Sequence, residues 1–280
     1  MTGETGLEHL TLLGVSPPDL VSTAAQAGFS AVGLRISPAT DGERPWPVSP
    51  GSPMLAETVR RCADTGITVL DAEAVRLGPR TARSPRYAPV LAAAAELGAR
   101  YVNAICDDPD LSRLSDSFAG LVTAAAPYGI RAVVEFMAYR SVATLGQAVA
   151  IAARSGGGGV LVDALHTQRC GVRLAELRAV DPGLISYVQL CDAPLRAQAD
   201  PLREARSARL LPGEGQLPLL DLLAALPDGI PVAVEAPAEA AGASPAEFAA
   251  RARRALDSVL SQAASRAASQ AKTSKAKERP

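Results

Sequence analysis

The chain has 280 residues, 48% of them hydrophobic, with 28 Lys and Arg against 29 Asp and Glu and a formal charge of −1. That length can bury a large core, and the near-neutral balance supplies no field for nucleic acid or an anionic membrane surface, so a small neutral or modestly anionic partner fits better. The opening MTGETGLEHLTLLG lacks a basic n-region and no apolar stretch is long enough to span a bilayer, so the expectation is a cytoplasmic protein with no membrane partner. Cys62, Cys106, Cys170 and Cys191 have no CxxC spacing and read as free thiols, and with His9 and His166 the only histidines, a histidine-rich metal cluster is excluded by count.

The first apolar run, HLTLLG from His9, predicts strand one; it ends in GVSPPD rather than a GxGxxG turn, so the dinucleotide fingerprint is absent. A glycine then precedes each further apolar run: Gly28 before FSAVGLR, Gly66 before ITVLDAE, Gly98 before ARYVNAI, Gly129 before IRAVVEF, Gly159 before VLVDALH and Gly229 before IPVAVEA. Each reads as a glycine closing a helix and feeding a buried strand. Ser16-Pro17, Ser52-Pro53, Ser84-Pro85 and Ser244-Pro245 place an N-cap serine before a first-turn proline, so helices alternate with strands. Strands apolar along their whole length imply burial on both faces of a parallel sheet. With ISYVQLC added there are about eight units, which predicts an α/β fold of the TIM (β/α)8 barrel type, a single domain over residues 1–260. Two stretches leave the rhythm. Thr40 to Pro53, rich in Pro, Gly and Ser, reads as a long loop over the C-terminal rim, and residues 261–280, Ala/Ser/Lys-rich, as a frayed helix end and disordered tail. Gly156 to Gly159 lacks the GK[ST] of a phosphate loop and reads as a turn.

Four runs end in an oxygen-bearing side chain: Glu135 after RAVV, Asp163 after GVLV, Gln189 after ISYV and Glu235 after PVAV. In a parallel barrel such positions converge on the C-terminal mouth. Three carboxylates and an amide carbonyl form a hard, all-oxygen ligand set suited to Mn2+ or Mg2+, and without a cation their repulsion raises at least one pKa. Arg35 and Glu73, ending strands two and three, point to the same rim; Arg35 either clamps a substrate carboxylate or phosphate or pairs with Glu73.

The segments VVEFMAYRS, VLVDALHTQRCG, ISYVQLCDAP, RLLPGEGQLPL and PVAVEAP resemble the sugar phosphate isomerase/epimerase family of xylose isomerase-like TIM barrels, related to endonuclease IV. The resemblance implies metal ligation by Glu135, Asp163, Gln189 and Glu235, with Gln189 standing where better-known epimerases carry histidine. It implies that Glu135 and Glu235 act as the catalytic acid/base pair, that His166 of the Asp163-Ala-Leu-His166 element contacts substrate, and that Arg209 reaches into the mouth. The implied activity is a divalent-metal-dependent isomerase or epimerase of a sugar or hydroxy-carbonyl compound working through an enediolate. A dehydratase of inosose or 3-dehydroshikimate type begins with the same proton abstraction. Homo-oligomers are compatible with such barrels, whereas a multi-metal nuclease lacks the histidines it needs here.

Overall fold

Helix closure by glycine sets the register of the whole chain. The computed structural model describes residues 3–83, 87–237 and 243–277. Gly28, Gly66, Gly98, Gly129 and Gly229 hold positive φ of 87°, 74°, 68°, 70° and 77°, a region open to a residue without a Cβ, and each precedes a strand. Gly159 differs from expectation. It lies inside a strand, where a Cβ would meet Ser186 Oγ at 2.0 Å, and the turn is made by Gly156 at φ 76°. The predicted serine caps are in place at Ser52, whose Oγ accepts from the Leu55 N–H at 3.2 Å, and at Ser244, where Glu247 accepts from the Ser244 N–H at 2.8 Å. Ser16 precedes the helix Pro17–Ala27, and Ser84-Pro85 falls outside the described residues.

The strands β1 (Thr5–Glu8), β2 (Ala31–Arg35), β3 (Thr68–Leu77), β4 (Tyr101–Cys106), β5 (Arg131–Glu135), β6 (Gly159–Asp163), β7 (Ile185–Leu190) and β8 (Val232–Val234) pair in parallel in that order. β8 pairs back to β1 and closes the barrel, Gly6 opposite Ala233. The fold is the expected TIM barrel. Strand one is not HLTLLG: β1 ends at Glu8, and His9–Leu12 turns as a 3-10 helix. The turn is held by the His9 ring, whose Nε2 lies 2.8 Å from Val15 O and whose Nδ1 accepts from the Arg35 N–H at 3.1 Å.

Side chains alternate along each strand, and this alternation builds the site. Ala31, Leu70, Val133, Leu161, Tyr187 and Ala233 form a fully buried apolar plug inside the barrel. Two residues beyond Val133, Leu161, Tyr187 and Ala233 stand Glu135, Asp163, Gln189 and Glu235, so the layer above the plug, toward the mouth, is polar. Outside the barrel, the last helix, Pro245–Lys277, buries Phe248, Ala249, Ala252, Leu256 and Val259 along one stripe. Its helical backbone runs past Ser261, farther than the frayed end read from composition, and Arg266 pairs with Asp221 at 2.7 Å. Alanine, glutamine and basic residues favour helix strongly enough to carry a mostly exposed segment. Among the described residues no helix is long and apolar enough to cross a membrane.

Candidate active site at the barrel mouth

The four strand-end groups stand at one end of the barrel; of the three carboxylates, Glu135 and Asp163 come within ligand distance of each other, and His166 rather than Glu235 is the third member of that group. Asp163 and Gln189 are directly opposite in the β6–β7 ladder, and the Glu235 N–H donates to Leu190 O at 3.0 Å, which sets Glu235 just beyond β8. Arg209 ties the wall together: its guanidinium reaches Asp163 Oδ2 at 2.6 Å and Glu235 Oε2 at 3.1 Å, and its Nε–H donates to Ala205 O at 2.7 Å. Glu135 accepts from Asn103 Nδ2 at 3.0 Å and has His166 Nε2 3.6 Å from its other oxygen. His166 follows Asp163 on one helical turn, with the Asp163 carboxylate capping that turn by accepting from the His166 N–H at 2.8 Å. Oxygens of Glu135 and Asp163 and a nitrogen of His166 lie within 4.8 Å of one another.

A small cavity of about 40 Å³, opening to solvent, lies above this floor, lined by Glu135, His166, Arg209 and Glu235 together with Arg35, Arg140 and Arg206. Arg35 is in the mouth as expected, and it is already paired: its guanidinium lies 2.6 Å from Glu73 and 3.2 Å from Glu43. Glu73 is not at the end of its strand, because β3 continues to Leu77 past a register shift between Glu73 and Val75. Sequence reading passed over several groups of this layer. Glu8 and Asp71 are completely buried beside Glu73, and Tyr187 donates its hydroxyl to Asp71 at 2.5 Å. Gly33 makes their approach possible, since a Cβ there would overlap the Glu8 carboxylate at 1.6 Å. Period-two counting from Tyr101, which packs against the plug, would have found Asn103, and counting back from Glu73 would have found Asp71, which the plug residue Leu70 masks because it stands only one position before it; Glu8 was hidden by the misplaced first strand.

The electrostatics are those of an acid excess in a dry place. Burial, against the pull of Arg209, pushes Glu235 up to about 8, with repulsion from Glu73 and Asp163 added. Glu135 is raised well above the usual carboxylate range by burial and by the charges of Glu235 and Asp163. Asp163 goes the other way: although burial opposes it, the close Arg209 contact and the His166 N–H hold its carboxylate below the usual range. Asp163 and Glu235 share Arg209 yet move oppositely, because Asp163 has the shorter contact and the additional N–H donor. Burial lowers His166 to about 4, so it is neutral at physiological pH.

Gln189 is the sharpest clue. Its side chain is fully buried, and neither its Oε1 nor its Nε2 has a hydrogen-bond partner. A buried amide without partners costs about 1–3 kcal/mol by protein mutational measures, so its retention beside three carboxylates fits a ligand held in waiting. The cluster of Glu135, Asp163 and His166 offers donor atoms close enough together to fit a divalent cation.

A model of the xylose isomerase-like TIM barrel family matches residues 21–259. The chain belongs to that family. Solved structures agree on the fold. A xylose isomerase-like TIM barrel/4-hydroxyphenylpyruvate dioxygenase fusion protein superposes with a TM-score of 0.81 at 22% identity, covering 96% of this chain; the chain spans 45% of that protein's length. The IOLI protein, whose crystal structure holds a zinc atom, gives 0.71 at 18% identity over 94% of this chain and 98% of its own. L-ribulose 3-epimerase gives 0.72 at 16% identity with all of both chains covered. A comparison with curated proteins finds no match. At these identities the likeness establishes the xylose isomerase-like fold, and the chemistry rests on the mouth.

Proposed function

We propose that this xylose isomerase-like barrel is a divalent-metal-dependent isomerase or epimerase of a sugar or related hydroxy-carbonyl compound. The observation that carries this reading is the unpartnered Gln189 amide set among Glu135, Asp163 and Glu235 at the strand ends, a hard donor set with surplus negative charge. Glu135, Asp163, Gln189 and Glu235 would hold the ion, with Mn2+ or Mg2+ preferred by an all-oxygen set. Bound there, the ion would supply Lewis-acid polarisation of a substrate carbonyl.

The chain's own residues supply the proton chemistry. Glu135 and Glu235 project from β5 and from the end of β8, on separate sides of the mouth, so one can withdraw a proton from carbon while the other returns one. Their raised affinity for protons suits them to that exchange. Asn103 fixes the Glu135 carboxylate through its Nδ2–H, and Arg209 fixes that of Glu235. Neutral His166 can donate to or accept from a substrate oxygen beside Glu135, and the Tyr139 ring, edge-on at 5.6 Å, restrains the imidazole. Support from the comparisons is of the same kind: one of the proteins of similar fold is a ketose epimerase by name, and another holds zinc.

A dehydratase of inosose or dehydroshikimate type is the second reading; the arginines of the mouth favour its dehydroshikimate form, whose substrate bears a carboxylate. The test is incubation of Mn2+-loaded protein with ketoses and cyclic hydroxy-ketones in deuterium oxide, read by mass spectrometry and NMR. Deuterium gain at the carbon next to the carbonyl, without loss of water, supports the isomerase or epimerase. Loss of water selects the dehydratase. Undiminished exchange by the Glu135→Gln, Glu235→Gln double variant would overturn both.

A further inference from the structure

Residues 37–52 cross the mouth without helix or strand, and they carry Glu43 into it. The Glu43 carboxylate sits between two arginines from opposite sides of the barrel: Oε1 lies 3.2 Å from Arg35 Nη1, at the end of β2, and Oε2 lies 3.0 Å from Arg206 Nη2, on the helix Pro201–Ser207. The Thr40 hydroxyl is 3.5 Å from Oε2. Only 8% of the Glu43 side chain is exposed, yet both arginines line the cavity that holds Glu135, His166 and Glu235. This is a built receptor for one carboxylate, open to the reaction chamber and filled by the chain itself.

The two arginines are not equivalent. Arg35 is fixed from behind by Glu73, which takes its Nε–H at 2.8 Å and its Nη2 at 2.6 Å, leaving Nη1 directed at Glu43. That strand-to-strand pair is almost wholly buried and is structural. Glu43 is held differently. Its backbone N–H reaches Thr40 O at 3.4 Å and its carboxylate also accepts from the Ala39 N–H, while the segment is anchored on either side of Glu43 by the Asp41–Arg76 pair at 2.6 Å and by buried Ala39 and Val48. Exchanging its carboxylate for another anion of the same shape keeps both guanidiniums paired, so the exchange costs little charge separation. A neutral sugar offers no such exchange.

We infer that the Arg35–Arg206 pocket is a subsite for an anionic group of the substrate, a carboxylate or phosphate, and that Glu43 is a place-holder expelled when that group binds. The inference rests on the reading of the mouth as an active site, and it deepens that reading by assigning the substrate a charged end. The arginines set specificity, and residues 37–52 move as the anion enters. A place-holder that fills its pocket most of the time weakens the apparent affinity of a competitor by the fraction of time the pocket is free.

Trp46, the chain's one tryptophan, lies three residues beyond Glu43, and its indole N–H reaches Leu13 O at 3.4 Å. It is a built-in reporter of the segment. Full-length, Mn2+-loaded protein would be titrated with D-gluconate, D-glucose 6-phosphate and D-fructose at constant ionic strength set with KCl, following Trp46 emission and heat. The expectation is a saturable emission change with one of the two anions, which identifies carboxylate or phosphate, and none with fructose. Glu43→Gln should tighten that anion about 10-fold by removing the competitor, and Arg206→Met should weaken it about 10-fold or more. Glu43→Ala guards against a loop misplaced by glutamine and should also bind more tightly than the wild type; circular dichroism checks folding. Absence of binding by both anions in wild type and in Glu43→Gln overturns the inference, as does weaker or equal binding by both Glu43 variants. Failure here is separate from failure of the proposed activity. Solvent exchange on neutral ketoses with no anion effect removes the subsite alone, and anion binding that moves Trp46 without any exchange removes the isomerase reading alone.

Discussion

Replacing Gln189 by Met isolates the one member of the four strand-end groups whose polar atoms have no partner among the described residues. Methionine matches glutamine closely in length and volume, so little cavity or overpacking follows, while two buried polar atoms without partners disappear. If those atoms each remain unsatisfied in the metal-free protein, removing them should stabilise it by about 1–3 kcal/mol. For a chain of this size that is a rise in melting temperature of roughly 2–4 °C per kcal/mol. With metal that advantage should shrink by about 1.3–2.3 kcal/mol. At a concentration 100 times its dissociation constant, an ion stabilises the wild type by about 2.7 kcal/mol. Losing an inner ligand should cost at least the 10–100-fold in affinity typical of outer-shell partners, leaving the variant about 0.4–1.4 kcal/mol from the same ion concentration. The assay is thermal melting of both proteins in EDTA and across a Mn2+ titration. The reasoning fails if Gln189→Met melts below the wild type in EDTA and both proteins gain equally from Mn2+, for then the amide has partners of its own and does not face the ion.

Three further outcomes are expected. Arg209→Met leaves Asp163 and Glu235 buried without their shared guanidinium, and should cost about 3–5 kcal/mol in urea unfolding of the metal-free protein; a loss under 1 kcal/mol would mean the pair is solvated. Glu135→Gln and Glu235→Gln should each lower turnover by about 10²–10⁴-fold with circular dichroism unchanged, and unaltered kcat would remove the acid/base assignment. Asp71 is raised to about 7 from 3.8, first by burial and then by Glu73, so the folded protein keeps a proton that the unfolded chain has lost between those values. The associated stability is complete below about 3.8 and vanishes as pH rises through about 7, so the melting temperature of neutral Asp71→Asn should gain on that of the wild type between pH 5 and pH 8; a gap independent of pH would contradict the shift.

How much of this was legible in the sequence follows from which positions obey a local rule. Glu135, Asp163, Gln189 and Glu235 each stand two residues past an inward apolar side chain, and period two is visible in any strand read alone. The glycine closures were legible for the same reason, a local one, and Gly159 misled because a glycine required by Ser186 across the sheet looks the same in sequence as one required by its own φ. Partner choice is not local. Whether Arg35 met a ligand or Glu73 depended on the β2–β3 register, where Arg35 lies opposite Glu73, and that Glu43 would come to join them depended on the path of a loop. Glu8 was lost because HLTLLG is the more apolar run, while barrel closure selects Thr5–Glu8, which can pair with both β2 and β8.

The charges of the inner layer explain why these hidden acids matter to the legible ones. Glu8, Asp71, Glu73, Glu135, Asp163 and Glu235 are all buried, facing the guanidiniums of Arg35 and Arg209. Ionised together they would leave an excess of four negative charges in a space that excludes water, an arrangement that low polarisability makes prohibitive. Two adjustments remove it. Burial and mutual repulsion raise Glu8, Asp71, Glu135 and Glu235, which favours protons on these acids, and a dication bound among the strand-end groups would offset part of the same excess. Glu135 and Glu235 lie on the β5–β8 side beside Gln189, so protons are favoured on both sides of the barrel and a cation on the β5–β8 side would compete with those of Glu135 and Glu235. Protonation and cation binding are therefore alternative answers to one excess of charge, so metal affinity at the mouth should rise as pH rises and the competing protons are lost.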